Sequence, residues 1–316
     1  MTGPSCVKSP VVATAERVLI AGATGYIGGK LARRLCDAHV PTRCMARNPG
    51  SATGLEGTGC ELVEGDVLDR STLGPALEGI DTAYYLVHSM GRGGDGDFEE
   101  LDRRGAANFA EAASDAGLRQ IIYLGGLGEG KSKHLRSRHE TAEALASTGV
   151  PVTYLRAAVV LGGGSESFQT VYYLIKRLPA MVTPRWTTTR TQPIAVDDVI
   201  SFLVAARGAG EWVGREIQIA GPDVTTYGGM MGVMAEAIGK RKPLMIRVPI
   251  LTPRLSSLWI GLVTPVDTGV ARPLVEGLST ETVITDPSGM EMFGIETTGM
   301  DEAMSSAVRE FDALRS

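Results

Sequence analysis

Three groups of residues in this sequence have types and spacings suited to chemistry. The first is "AGATGYIGG", which places Gly22, Gly25 and Gly28 directly after the apolar run "RVLIAG" and at the start of a helix-like segment. Glycines there permit a tight turn and a close backbone approach. The first N–H groups of the following helix then face an anion, so the pattern suits the pyrophosphate of a dinucleotide. Gly22, Thr24, Gly25, Tyr26 and Ile27 are the residues it would bring to such a ligand.

The second group sets the choice of dinucleotide. A carboxylate at the end of the second strand accepts hydrogen bonds from the ribose of NAD, whereas an arginine suits a 2′-phosphate. Here "CMARNPG" offers Arg47, and no carboxylate occurs from Thr42 to Ser51. NADPH (NADP+) is therefore the expected carrier, with NADH left open. In "EGDVLD", Asp66 could bond the adenine amino group with Val67 flanking the ring, or it could cap the next turn.

The third group is "HLRSRHETAEAL", residues 134–145. His134, Arg136, Arg138 and His139 crowd the first turns of a helix, after Lys131 and Lys133. Cations there oppose the helix macrodipole. Either the face is a solvated basic one or an anionic ligand lies close by. His88 and Ser89 end another apolar run, "DTAYYLVHS". A histidine titrates near neutrality and can act as an acid. His88, Ser89 and His134 are thus the candidate proton donors. Each has a structural alternative: a backbone hydrogen bond for His88, a loop cap for Ser89, a solvated helix position for His134. Water or a phenol on the substrate is a fourth source.

These groups need a scaffold to meet. Short apolar runs ("RVLIAG", "PTRCMAR", "CELVEGDVLD", "DTAYYLVHS", "QIIYLGG", "PVTYLRAAVV") alternate with helical patterns such as "DFEELDRRGAANFAEAASDAG". That rhythm predicts an α/β fold with a doubly wound parallel sheet. It loosens after residue 161. The expected organisation is a disordered tail over 1–16, a nucleotide-binding domain over 17–160 and a smaller mixed substrate lobe over 161–316. A strand near 215–220 is expected to rejoin the sheet. Met90, Phe168, Tyr172, Trp186 and Gln192 are the candidate substrate contacts, although aromatics at helical spacing suit a core equally well. Asp197 and Asp198 in "VDDV" read as helix caps rather than as an acid pair.

Composition sets the limits. The chain has 316 residues, 43% hydrophobic and 21% charged, with a net charge of −5, which suits a globular protein and gives no reason to expect nucleic acid. Cys6, Cys36, Cys44 and Cys60 lack CxxC or metal-like spacing and read as reduced thiols of a cytoplasmic protein that binds no metal. The start of the chain lacks the pattern of a signal peptide. The apolar stretch at 255–266 is too short to span a bilayer.

The glycine motif, the Asp66-Val67 pair and "PIAVDDV" (193–199) together resemble the short-chain dehydrogenase/reductase superfamily. "LVHSMG" and "TPRW" narrow the likeness to its atypical, NmrA-like NAD(P)H-binding branch. The resemblance implies a Rossmann sheet, with Leu86, Val87, Gly125 and Arg138 also along the cofactor. In the ordinary superfamily the fourth helix opens Tyr-x-x-x-Lys and a serine ends strand five. Here His134 and Arg138 take the first two places, and Gly125 and Gly126 stand at the third.

Some members of this branch reduce ketones of aromatic polyketides in antibiotic biosynthesis. The resemblance therefore implies a ketoreductase acting on a small hydrophobic ketone, as a monomer or weak homo-oligomer. Losing an acid costs roughly 10²–10⁴ in rate. Positioning contributes roughly 7–11 kcal/mol and survives that loss. A non-catalytic NADP(H) sensor, or an epimerase or dehydratase using the same cofactor, are the alternatives.

Overall fold

The computed structural model describes residues 16–88, 98–128, 132–183, 185–247 and 278–315. Ser89 and Met90 lie outside these residues, as do the expected tail up to residue 15 and the apolar stretch at 255–266.

Six parallel strands follow the predicted runs: β1 (Val18–Ala21), β2 (Thr42–Ala46), β3 (Glu61–Glu64), β4 (Thr82–Tyr85), β5 (Gln120–Gly126) and β6 (Val152–Ala157). A seventh, Glu216–Ile219, pairs in parallel with β6. The sheet order is β3-β2-β1-β4-β5-β6 and then the seventh strand. The order reverses between β1 and β4, which opens a crevice at their carboxyl ends.

Helices cover both faces. On one side lie α1 (Tyr26–Asp37) and α6 (Val196–Ala205), burying Leu31, Leu35 and Phe202 against Ile20 and Ile217. On the other lie α2 (Leu73–Leu77), α3 (Phe98–Asp115) and α4 (Lys133–Ala146), burying Leu77, Phe109 and Leu145 against Leu19 and Tyr85. The inner strands β1, β2, β4 and β6 are buried on both faces and read as largely apolar runs, which makes them legible, whereas the edge strand β3 is mostly exposed. No helix of the described residues is long and apolar enough to cross a membrane.

A third cluster forms the core of the lobe. It joins α5 (Glu166–Arg177), α7 (Tyr227–Ala237) and the C-terminal helix Met300–Ala313 through Phe168, Tyr172, Met230, Met304 and Phe311.

Two expectations need correction. Cys36 and Cys60 form a disulfide, with a Cα–Cα distance of 6.3 Å. Pairing of β2 with both β1 and β3 brings the end of α1 to the segment before β3, a proximity that sequence spacing does not show. Asp198 does not cap α6. Its carboxylate accepts from the Thr298 backbone N–H at 2.7 Å and the Thr298 hydroxyl at 3.1 Å. Asp197 pairs instead with Lys30, at 3.5 Å.

Candidate functional site

A cleft of about 580 Å³ opens over the carboxyl ends of β1, β4, β5 and β6. This is within the usual range for small-molecule sites. One end is the glycine turn. Gly22 adopts φ +91°, and a Cβ there would come within 2.7 Å of the Leu86 carbonyl oxygen. A Cβ on Gly28 would collide with the Gly22 carbonyl. Both positions therefore require glycine.

Helix α1 starts at Tyr26 with Gly25 as its cap, no side-chain capping bond and no acidic residue in its first turn. Its first N–H groups have no intrahelical acceptor. Among the described residues no side chain caps these N–H groups, so the turn fits a dinucleotide pyrophosphate. Gly22, Gly25, Tyr26, Ile27 and Leu86 line the cleft, and Thr24 is exposed on the turn.

The residues expected beside the adenosine have mixed surroundings. Arg47 is exposed immediately after β2, on the strand beside the glycine turn. Asp66 makes the alternative contact: its Oδ1 accepts from the Leu68 backbone N–H at 2.9 Å. Val67 is buried with the α3 side of the core, where it meets Gly105, rather than standing open beside a ring. Val87 likewise packs onto that core, although Leu86 before it reaches the cleft.

The middle of the cleft is formed by His88, Gly125, Gly126, His134 and Arg138. His134 is half-buried in the cleft wall rather than on an open helix face. Burial, with Arg138 and His88 nearby, pushes its pKa down to about 3, so the ring is neutral at neutral pH. Arg138 is half-buried at the cleft, beside the Tyr123 hydroxyl and near Asp102. Arg136 pairs with Glu99 at 3.6 Å, and His139 lies edge-on to Tyr154. The four side chains at 134, 136, 138 and 139 thus resolve into one neutral ring, one half-buried guanidinium at the cleft and two side chains with other partners, with Lys133 exposed before them. Neither a bare basic face nor a single anion site describes them. The Ser132 side chain supplies the N-cap, accepting from the Leu135 N–H at 3.2 Å.

The far end of the cleft belongs to the lobe. Ser167, Thr170, Val171 and Leu174 form a stripe at helical spacing on α5, facing Trp186, Tyr227, Met230 and Met231. Of the expected substrate contacts, Trp186 lies here, edge-on to Tyr227 with ring centroids 6.0 Å apart. Phe168 and Tyr172 do not. They occupy the adjacent stripe of α5 and pack on Phe311, at 6.0 and 4.6 Å between centroids. Gln192 is also structural: its Nε2 donates to the Gly221 carbonyl at 2.8 Å and its Oε1 accepts from the Ile284 N–H at 3.2 Å. Sequence reasoning missed Tyr227, Met230 and Met231. The available signal was the methionine-rich segment "GGMMGVM", because methionine suits adaptable binding walls.

Residues 22–199, more than half of the chain, match the family model described as NAD(P)H-binding. The chain belongs to the NAD(P)H-binding family. Within it, this member is 30% identical over 234 residues to a (4-alkanoyl-5-oxo-2,5-dihydrofuran-3-yl)methyl phosphate reductase of Streptomyces griseus subsp. griseus, covering 71% of this chain and 74% of that protein. Solved structures share its fold. Citrobacter sp. triphenylmethane reductase in complex with NADP(H) superposes with a TM-score of 0.70 at 20% identity, over 92% of this chain and 99% of that one. The NADPH-dependent quinone oxidoreductase of Escherichia coli gives a TM-score of 0.73 at 18% identity, over 91% and 98%. The NmrA-like, atypical short-chain resemblance agrees with these matches. The family member binds NAD(P)H on the fold shared by such reductases and epimerases.

Proposed function

We propose that this NAD(P)H-dependent oxidoreductase uses NADPH to reduce a carbonyl on a planar, hydrophobic substrate, with an aromatic polyketide ketone as the class that fits best. One observation carries the reading. A single cleft runs from the glycine turn, past His88 and His134, to an apolar wall of Trp186, Met230 and Met231. A nicotinamide carrier supplies hydride chemistry; the protein orients it and excludes competing reactions. The glycine turn would hold the pyrophosphate, and Arg47 would grip the 2′-phosphate.

His134 is neutral, so it can hold a carbonyl oxygen through a ring N–H but has no imidazolium proton to give at neutral pH. The product's proton then comes from His88, which lines the cleft, from solvent or from a phenol on the substrate. The Streptomyces griseus relative is named as a reductase of a phosphate ester. Much of the lobe-side lining is instead apolar, with Val171, Leu174, Trp186, Met230 and Met231, and Arg138 stands at the middle of the cleft rather than at that wall.

The test mixes purified protein with NADPH and a panel of quinones, polycyclic ketones and a phosphorylated furanone, following NADPH absorbance. Oxidation with the polycyclic ketones is expected. Tight NADPH binding with no oxidation by any of them would sink the reading and favour an NADP(H)-sensing role.

A further inference from the structure

The cofactor turn is tied to the lobe by one carboxylate. Tyr26 opens α1 and lines the cleft, and its hydroxyl donates to Glu310 Oε2 at 2.6 Å across 284 residues of sequence. The same oxygen accepts from the Gly163 backbone N–H at 2.9 Å. Lys30, one turn along α1, reaches Glu310 Oε1 at 2.9 Å. Three chain segments that are remote in sequence therefore converge on Glu310: the nucleotide helix, the loop after β6 and the C-terminal helix.

The triple glycine of that loop is shaped to this arrangement. Cβ atoms on Gly162 and Gly164 would collide with the hydroxyl and the ring of Tyr26. A Cβ on Gly163 would come within 2.8 Å of the Ala307 carbonyl in the C-terminal helix. The loop leads directly into α5, whose Ser167, Thr170, Val171 and Leu174 form one wall of the cleft. Burial and the neighbouring Glu310 carboxylate raise the Tyr26 pKa, so the phenol stays a donor. The hydrogen bonds from Tyr26, Lys30 and Gly163 hold the Glu310 carboxyl below its ordinary value despite its partial burial, so it stays an acceptor.

We infer that Tyr26 and Glu310 are positioning residues that set the distance between the bound nicotinamide carrier and the α5 wall, and hence the alignment of the substrate carbonyl for hydride transfer. The inference rests on the proposed reductase activity. Hydride transfer is sensitive to small misplacement, and a shift of about 1 Å away from the chemistry can cost on the order of 100-fold in rate. Neither side chain is assigned a proton-transfer role.

The experiment compares wild type with Tyr26→Phe and Glu310→Gln. Each keeps the shape and removes one interaction: the hydroxyl donor in the first, the charge facing Lys30 in the second. In steady state with a reduced ketone, kcat is expected to fall about 10-fold in Tyr26→Phe, with NADPH affinity by calorimetry within twofold of wild type. The primary isotope effect with NADPH deuterated at the transferred position is expected to rise. Loss of folded protein alone lowers apparent kcat but leaves the isotope effect where it was. An unchanged kcat and isotope effect would overturn the inference, as would a fall in NADPH affinity that matches the fall in kcat.

A second arm needs no substrate. Amide hydrogen exchange is measured over residues 162–174 with and without NADPH. The inference expects NADPH to protect this segment in wild type and not in Tyr26→Phe; equal protection in both overturns it. If wild type reduces no ketone yet shows the difference in protection, the reductase reading fails while the coupling stands.

Discussion

Tyr154 occupies the space that a side chain at Gly125 would need: a Cβ there would come within 2.6 Å of the ring and 2.8 Å of the hydroxyl. Tyr154 in turn stacks on Tyr123, with ring centroids 5.1 Å apart and planes inclined by 26°. In the ordinary short-chain enzymes a serine ends this strand. Here a buried tyrosine of the neighbouring strand has taken the room.

Restoring the serine is therefore expected to harm the protein rather than improve it. Gly125→Ser forces Tyr154 aside in a packed core, and overpacking of this kind costs typically about 1–3 kcal/mol. Thermal unfolding of the variant should show a lower midpoint, and ketone turnover should not rise. A more active Gly125→Ser would mean that the altered site is a weakened version of the usual one.

Arg47 is the expected determinant of cofactor choice. Removing a charge-assisted hydrogen bond costs about 1.5–3 kcal/mol, a loss of roughly 10- to 100-fold in affinity. Arg47→Ala should weaken NADPH binding by that factor and leave NADH binding nearly unchanged, as read by calorimetric titration. Equal losses for the two cofactors would remove Arg47 from the 2′-phosphate site.

His134 makes a signed prediction about acid stability. Its folded pKa of about 3 lies below the ordinary histidine value of 6.5. Above the ordinary value neither state is protonated there, and the residue contributes no pH dependence. As pH falls through that value the unfolded chain takes up the proton and the folded protein does not, so stability drops until the folded pKa is reached. The slope from this one group is at most about 1.4 kcal/mol per pH unit. His134→Asn should flatten the unfolding free energy against pH between the two values. An unaltered slope would show that His134 is solvated.

The disulfide predicts sensitivity to reductant. Cys36 and Cys60 enclose 24 residues of sequence separation, and closing a loop of that order stabilises by about 3 kcal/mol in the chain-entropy model. Reduction should lower the unfolding midpoint, and Cys36→Ser should show the same lowered midpoint with or without reductant. Cys44 is buried, with its thiol pushed up to about 12, and should resist alkylation in the folded state.

Much of the sheet was legible because its signals are local. The runs at Val18–Ala21 and Gln120–Gly126 are apolar on both faces, and the residues after β1 spell out a strand, a glycine turn and a helix. The strand at Glu216–Ile219 was also readable as a returning one. The lobe was harder. Phe168 and Val171 both lie on α5 within one turn, and no local feature says which faces Phe311 and which faces the cleft. That depends on where the C-terminal helix docks. The state of His134 is not local either: its neutrality follows from desolvation next to Arg138 and His88, groups brought together by the crevice.

The amino-acid order alone determined the parallel sheet, the glycine turn after β1 and the arginine after β2, because each is written in neighbouring residues through backbone sterics and hydrophobic period. Tertiary structure decided the protonation of His134, the Cys36–Cys60 link, the filling of the Gly125 space by Tyr154 and the bond from Tyr26 to Glu310. Those four depend on distances between residues far apart in the chain. Only the packed fold sets such distances, and through them the local dielectric.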